Sequence, residues 1–192
     1  MKPEDFDYVT KNNLCLFQKG PFSQWYGGWS GQNGGFKYDK SDLLKKYKIV
    51  CDVGEELSFN CCEQWMMANK ALLFRDVYTF ERIMEELSPK KQKALGREVV
   101  NYNQKMWDLY KYQIVLKGNL IKFYDNPDVQ EFLLSFNVHT IFVEAAPWDK
   151  IWGIGLAPDD PRALDIYKWE GENLLGMAIG ATRKKLHRKD LE

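Results

Sequence analysis

The amino-acid sequence predicts an α+β fold, a compact and mainly helical single domain over residues 1–192 with a small β component. Three observations predict it. Ser88 followed by Pro89, and Asn126 followed by Pro127, each place a capping residue before a proline at a first helical position. Long stretches beside them carry apolar residues at helical spacing, whereas runs of β-branched and aromatic residues are few and short. The 192 residues suffice for one substantial core and are too few for two domains without a clear linker.

Taken in order, GPFSQWYGGWSGQNGGF (20–36) mixes glycines with aromatic rings and predicts a loop with flat faces to offer. KIVCDVG and ELSFN, on either side of Gly54, predict a short antiparallel pair that delivers the chain into a buried helix, CCEQWMMANKALLFRD, from Cys61 to Asp76. NYNQKMWDLYKYQIVLKGNLIKFYD carries Trp107, Tyr110, Ile114, Leu120 and Ile121 at helical spacings, with Gly118 weakening its second half. Pro127 opens the helix DVQEFLLSF, and TIFVEAA predicts a buried strand ending on Glu144. Asn173 is placed to cap LLGMAIGATRKKLHR, where Gly176 and Gly180 permit close packing and the basic end suits a helix C-terminus.

Composition narrows the function classes. Twenty-seven basic residues balance 27 acidic ones, so no overall field gathers nucleic acid non-specifically. The four cysteines lack CxxC spacing and the two histidines stand far from them, which argues against a structural zinc site. No signal core and no membrane-spanning run is present, so a soluble, cytoplasmic protein of a reducing compartment is expected. Seven tryptophans exceed what packing alone asks for, and some of the rings are expected to hold a ligand.

Four constellations have chemistry to offer. In CCEQWMMANKALLFRD, Lys70 returns to within about 20° of Glu63, about 10 Å further along one face, among Met66, Met67, Leu73 and Phe74. A desolvated lysine is a usable nucleophile and a buried carboxyl a usable proton carrier. Structural ion partners elsewhere, or a lysine stem snorkelling to water, explain the same pattern. In EAAPWDKIWGIGL, Glu144 and Asp149 flank a turn ahead of Trp152, Gly153 and Gly155, which suits either a ligand loop or a glycine-rich connection plugged by tryptophan. WEGENLLG can present free N–H groups at the helix start to a phosphate, or simply cap and pack that helix, with Arg183 nearly three turns on. Ser23, Gln24 and Trp25 suit a base or ribose pocket, and equally a well-packed loop.

Together GPFSQWY, CCEQWMMANKALLFRD, VEAAPWDKIWGIGL, and WEGENLLG followed by Arg183 resemble, in that order, the motifs of the NADAR family, the YbiA-like or swarming motility protein-like proteins. The resemblance runs from about Phe17 to Leu186. It implies a YbiA-like fold and an N-glycosidase that hydrolyses the bond between an anomeric ribose carbon and an amine or base, without cofactor or metal. The implied substrates are ADP-ribosylated guanine or riboflavin-pathway ribosylamino-pyrimidine phosphates. The implied partners are therefore an ADP-ribosyl or ribosylamino nucleotide, with ADP-ribosylated DNA as a further one and no membrane. By motif position Glu63 is the acidic group, Lys70 attacks the ring-opened sugar, and Asp149 orients ribose or water. Ser23, Trp25, Trp107, Trp152, Gly153, Asn173 and Arg183 complete the implied substrate pocket.

The chain departs from the family pattern between Tyr26 and Cys62, where an insertion over about residues 30–48 carries a local basic cluster. Two other function classes compete with the enzyme. One is a non-catalytic module that holds ADP-ribose or NAD, which needs rings and phosphate donors but no nucleophile with an acid. The other is a structural interaction protein, in which both charges of the helix are paired internally.

Overall fold

The computed structural model describes residues 8–27, 34–47 and 56–189. Its elements in order are β1 (Tyr8–Lys11), β2 (Leu14–Phe17), β3 (Phe36–Asp39), α1 (Lys40–Lys46), β4 (Glu56–Phe59), α2 (Cys62–Leu73), α3 (Val77–Glu85), α4 (Pro89–Glu98), α5 (Gln104–Asp125), α6 (Pro127–Ser135), β5 (Ile141–Glu144) and α7 (Leu174–Lys189). The class is α+β with helices in the majority, as the sequence predicts. No helix among the described residues is long and apolar enough to cross a membrane. The chain divides into two compact units, Gln24–Asn126 and the flanking pair Met1–Ser23 with Pro127–Glu192.

In the flanking pair, Asn12 and Asn13 both take positive φ, 53° and 62°, the conformation a two-residue hairpin needs between β1 and β2. β5 then adds to β2 in parallel, with Leu14 opposite Ile141 and Phe17 opposite Glu144, giving the order β1-β2-β5. Alternation sends Leu14, Leu16, Val143 and Ala145 into one apolar layer with Ile154, Leu156 and Ala163. An aromatic cluster also forms, in which Phe22 stacks on Phe132 and meets Phe17, Phe136 and Phe142 edge-on.

Within Gln24–Asn126, ELSF forms β4, but its partner is β3, with Phe36 opposite Phe59. The expected partner KIVCDVG lies outside the described residues. Part of the insertion is thus regular structure, β3 and α1. α2 packs against α3, α4 and α5. α5 begins where the Asn103 side chain accepts the Met106 N–H at 2.9 Å, and it continues through Gly118 without a break. A Cβ at Gly118 would stand 2.5 Å from Cδ1 of the buried Trp65, whose indole N–H donates to the Ile114 carbonyl at 2.8 Å. The glycine that weakens the helix locally is what lets the tryptophan reach its backbone.

The proline-marked starts are present at α4 and α6, with side chains used differently from simple capping. Ser88 makes no side-chain cap bond, and its N–H donates to Glu86 instead. Asn126 closes the end of α5 by donating to the carbonyls of Lys122 and Gly35. In α7 the two glycines differ: a Cβ at Gly176 would collide with the Phe142 carbonyl, whereas nothing lies within 4 Å of one at Gly180. Gly176→Ala is therefore expected to cost about 1–3 kcal/mol, because strand backbone cannot give way. Gly180→Ala, in open space on the same helix, should stabilise by about 0.5–1 kcal/mol. Denaturant midpoints of the two purified variants measure both signs.

Candidate active site

Glu63 sits in the first turn of α2 and is buried, an unusual place for a carboxyl group. Its N–H donates to the Gln24 carbonyl at 2.9 Å, and the half-buried Trp25 donates its indole N–H to Glu63 Oε2 at 3.2 Å. The Gln24 amide is itself buried, and neither its Oε1 nor its Nε2 has a hydrogen-bond partner among the described residues. Gln24 and Trp25 of the early loop and the start of CCEQW therefore meet at Glu63.

Lys70 lies two turns further along the same face and is half-buried. Its Nζ donates to the Gly96 carbonyl at 2.6 Å. The Tyr102 ring centroid is 4.4 Å from that nitrogen and the Trp107 centroid 5.7 Å. Burial first, and then the Arg97 guanidinium, push the Lys70 pKa below its ordinary value. The carbonyl and the two rings favour the cation, but desolvation outweighs them. Glu63 is not among the partners of Lys70, so the two charges of the helix do not answer one another.

A second buried lysine, Lys122 of α5, was invisible to the spacing argument because its neighbours come from another helix. It is fully buried, its Nζ lies 4.7 Å from the Phe123 ring, and desolvation lowers its pKa. Beside it the Cys62 thiol is raised to about 11 by burial, against the pull of Lys122.

The remaining predicted site residues belong to the flanking unit. Ser23 closes a 3₁₀ turn by donating its N–H to the Gly20 carbonyl at 2.9 Å. Asp149 is half-buried, and its Oδ1 accepts the N–H groups of Ile151 and Trp152 at 3.0 and 2.8 Å, so it fixes the turn that presents the half-buried Trp152. Gly153 has room for no side chain, since a Cβ there would meet the Glu144 carbonyl at 2.7 Å.

At the start of α7, the N–H groups of Asn173, Leu174 and Leu175 donate to the carbonyls of Gly153, Ile151 and Trp152. Those donors, open to a phosphate on sequence grounds, are occupied by the tryptophan loop. The Asn173 side chain turns to the edge of β5, accepting from the Glu144 N–H and donating to the Phe142 carbonyl. Arg183 is buried, and its guanidinium donates to the carbonyls of Asn137, Val138 and Thr140 while lying over the Phe142 ring.

Two groups near Lys70 escaped sequence reasoning. Tyr102 lies in the connection between α4 and α5, and Gly96 contributes only backbone, so neither carries a periodic signal. Among the described residues no cluster of three or more His, Cys, Asp or Glu side chains could hold a metal ion.

Residues 11–187 match the NADAR domain. An N-glycosidase of Acanthamoeba polyphaga mimivirus is 47% identical over 133 residues, spanning 69% of this chain and 78% of that protein. The protein irg-1 of Caenorhabditis elegans is 40% identical over 148 residues, 76% of this chain and 66% of its own length. An N-glycosidase of Nostoc punctiforme is 32% identical over 93 residues, 48% of this chain and 59% of its own length. The NMR structure of the E. coli protein YbiA shares the fold, with a TM-score of 0.69 and 21% identity over 100% of this chain and 95% of that one. With the domain matched across nearly the whole sequence, from β1 to the last turns of α7, this chain belongs to the NADAR family.

Proposed function

We propose that the protein is an N-glycosidase that hydrolyses the bond between an anomeric ribose carbon and an amine or base. The observation that carries the proposal is the setting of Lys70: half-buried, lowered in pKa, and held by a carbonyl and two rings, with no carboxylate partner among the described residues. A structural lysine in an apolar helix is normally neutralised by an acid, which raises its pKa and removes its nucleophilicity. Lys70 instead retains an amine that can attack. The similarity to two N-glycosidases supports the reaction class.

In the proposed reaction the ribosylamine opens to an imine at the anomeric carbon. The Lys70 amine adds to that carbon, forming a new C–N bond. The original C–N bond then breaks as Glu63 passes a proton to the departing amine, which leaves with the electron pair. Water hydrolyses the remaining Lys70 imine and releases the sugar aldehyde. Asp149 retains the orienting role that the family resemblance gives it. The substrates proposed are ADP-ribosylated guanine and ribosylamino-pyrimidine phosphates of the riboflavin pathway.

Purified protein is to be mixed with a ribosylamino-pyrimidine phosphate, ADP-ribosylated guanine in DNA, and NAD, with release of base or sugar followed. Release from the first or second is expected. Inactivity on all three removes the hydrolase proposal, and tight binding of ADP-ribose without release favours the non-catalytic holder. Glu63→Gln is expected to slow turnover by about 100-fold or more. Lys70→Arg should abolish both release and the adduct that borohydride traps on the wild-type protein.

The trapping rate has a defined pH dependence. Because the folded pKa of Lys70 lies below its ordinary 10.5, the free amine becomes available at lower pH than on an exposed lysine. Trapping should rise with pH and level off below 10.5. A rise that continues to the ordinary lysine value would show that Lys70 is not the desolvated nucleophile.

A further inference from the structure

Tyr102 has no assigned role, yet its ring is the nearest aromatic surface to the Lys70 nitrogen, at 4.4 Å. The ring is held at both ends. Its hydroxyl donates to Gln104 Oε1 at 2.8 Å, and its edge packs on Phe74 with centroids 5.2 Å apart. The residue is 41% exposed, so this orientation is fixed by named contacts rather than by enclosure. The Gly96 carbonyl accepts from the same nitrogen, and the Trp107 ring centroid lies 5.7 Å from it.

We propose that Tyr102 is a positioning residue of the Lys70 site, whose ring face fixes the lysine nitrogen and favours it as a cation, both as ammonium and as the iminium formed on sugar capture. The iminium half of this statement rests on the N-glycosidase proposal; the ammonium half does not. The physical basis is the negative face of the aromatic quadrupole, which attracts a cation and does little for a neutral amine. Tyr102 thereby acts with the Gly96 carbonyl and the Trp107 ring against desolvation and Arg97 of α4, both of which favour the neutral form. From α5, Asp108 and Lys111 act on the Tyr102 hydroxyl, in opposite directions. Asp76, which caps α3, is engaged by the N–H groups of Thr79 and Val100. The consequence is a nitrogen whose pKa burial lowers, with its cationic form stabilised by the ring.

The test is the titration of Lys70 in substrate-free protein, from the pH dependence of amine labelling at that residue read by mass spectrometry. Four proteins are compared: wild type, Tyr102→Phe, Tyr102→Leu, and a variant with a ring-fluorinated phenylalanine at position 102. Tyr102→Phe keeps the ring and should keep the midpoint. Tyr102→Leu and the fluorinated ring should each lower it by about half a pH unit relative to Tyr102→Phe. An unchanged or raised midpoint in both overturns the proposal. If Tyr102→Leu does not fold, the fluorinated ring, which keeps the shape and removes the negative face, decides alone. No substrate enters the titration, so its outcome is independent of whether the glycosidase proposal holds.

Discussion

Helix α2 is enclosed on almost its whole circumference, and every polar group it carries has to be answered inside the protein. The answers tie its unit together. Gln64 accepts the Asn60 N–H and donates to the carbonyls of Ile83, Met84 and Glu86, which fixes the passage from α3 towards α4. Asn69 donates to the Trp65 carbonyl and accepts the Tyr47 hydroxyl just beyond α1. Gln92 of α4 donates to the Asn60 side chain and the Glu86 carbonyl, closing the same corner. A helix held by so many directed bonds cannot rotate or slide, and that rigidity places Glu63 and Lys70.

Close approach of the neighbours depends on two glycines. At Gly118 of α5 the missing side chain admits the ring of Trp65, and at Gly96 of α4 it admits Met67. Met67 and Lys70 are one helical turn apart, so the contact at Gly96 sets the distance at which the Gly96 carbonyl meets the lysine nitrogen. Packing and chemistry are therefore joined at one residue. A side chain at position 96 would push α4 away from Met67 and withdraw the carbonyl from Lys70.

Elements whose signal is local were legible in the sequence: the helices of the middle, the buried strand ending at Glu144, and the motif segments themselves. Partnerships were less so. The strand ELSF was visible, but its pairing with FKYD spans the whole of 40–55, α1 included, a connection too long for any hairpin rule. Gly118 weakens a helix locally, and only the arrival of Trp65 explains why it is there. Asn173 had the right type and place for a cap, yet its side chain serves the edge of β5, because the loop carbonyls of Ile151 and Trp152 already satisfy the helix start. Tyr102 gave no sign at all, since its importance lies in which face it turns to Lys70.

The two halves of the motif set differ in how much bonding capacity they have left. In the flanking unit, Arg183 spends its guanidinium on three backbone carbonyls and Asn173 spends both amide atoms on β5. These bonds tie α7 and its first residue to β5 and to the segment that precedes it. Lys70 is held differently. A carboxylate partner would raise its pKa and keep it protonated, whereas a carbonyl and two rings restrain the nitrogen while leaving desolvation in control of its proton. Restraint without neutralisation is the condition under which a buried amine can be both placed and reactive. Within α2 that condition is met at Lys70 because Gly96 brings a neutral acceptor where an acid would otherwise be needed.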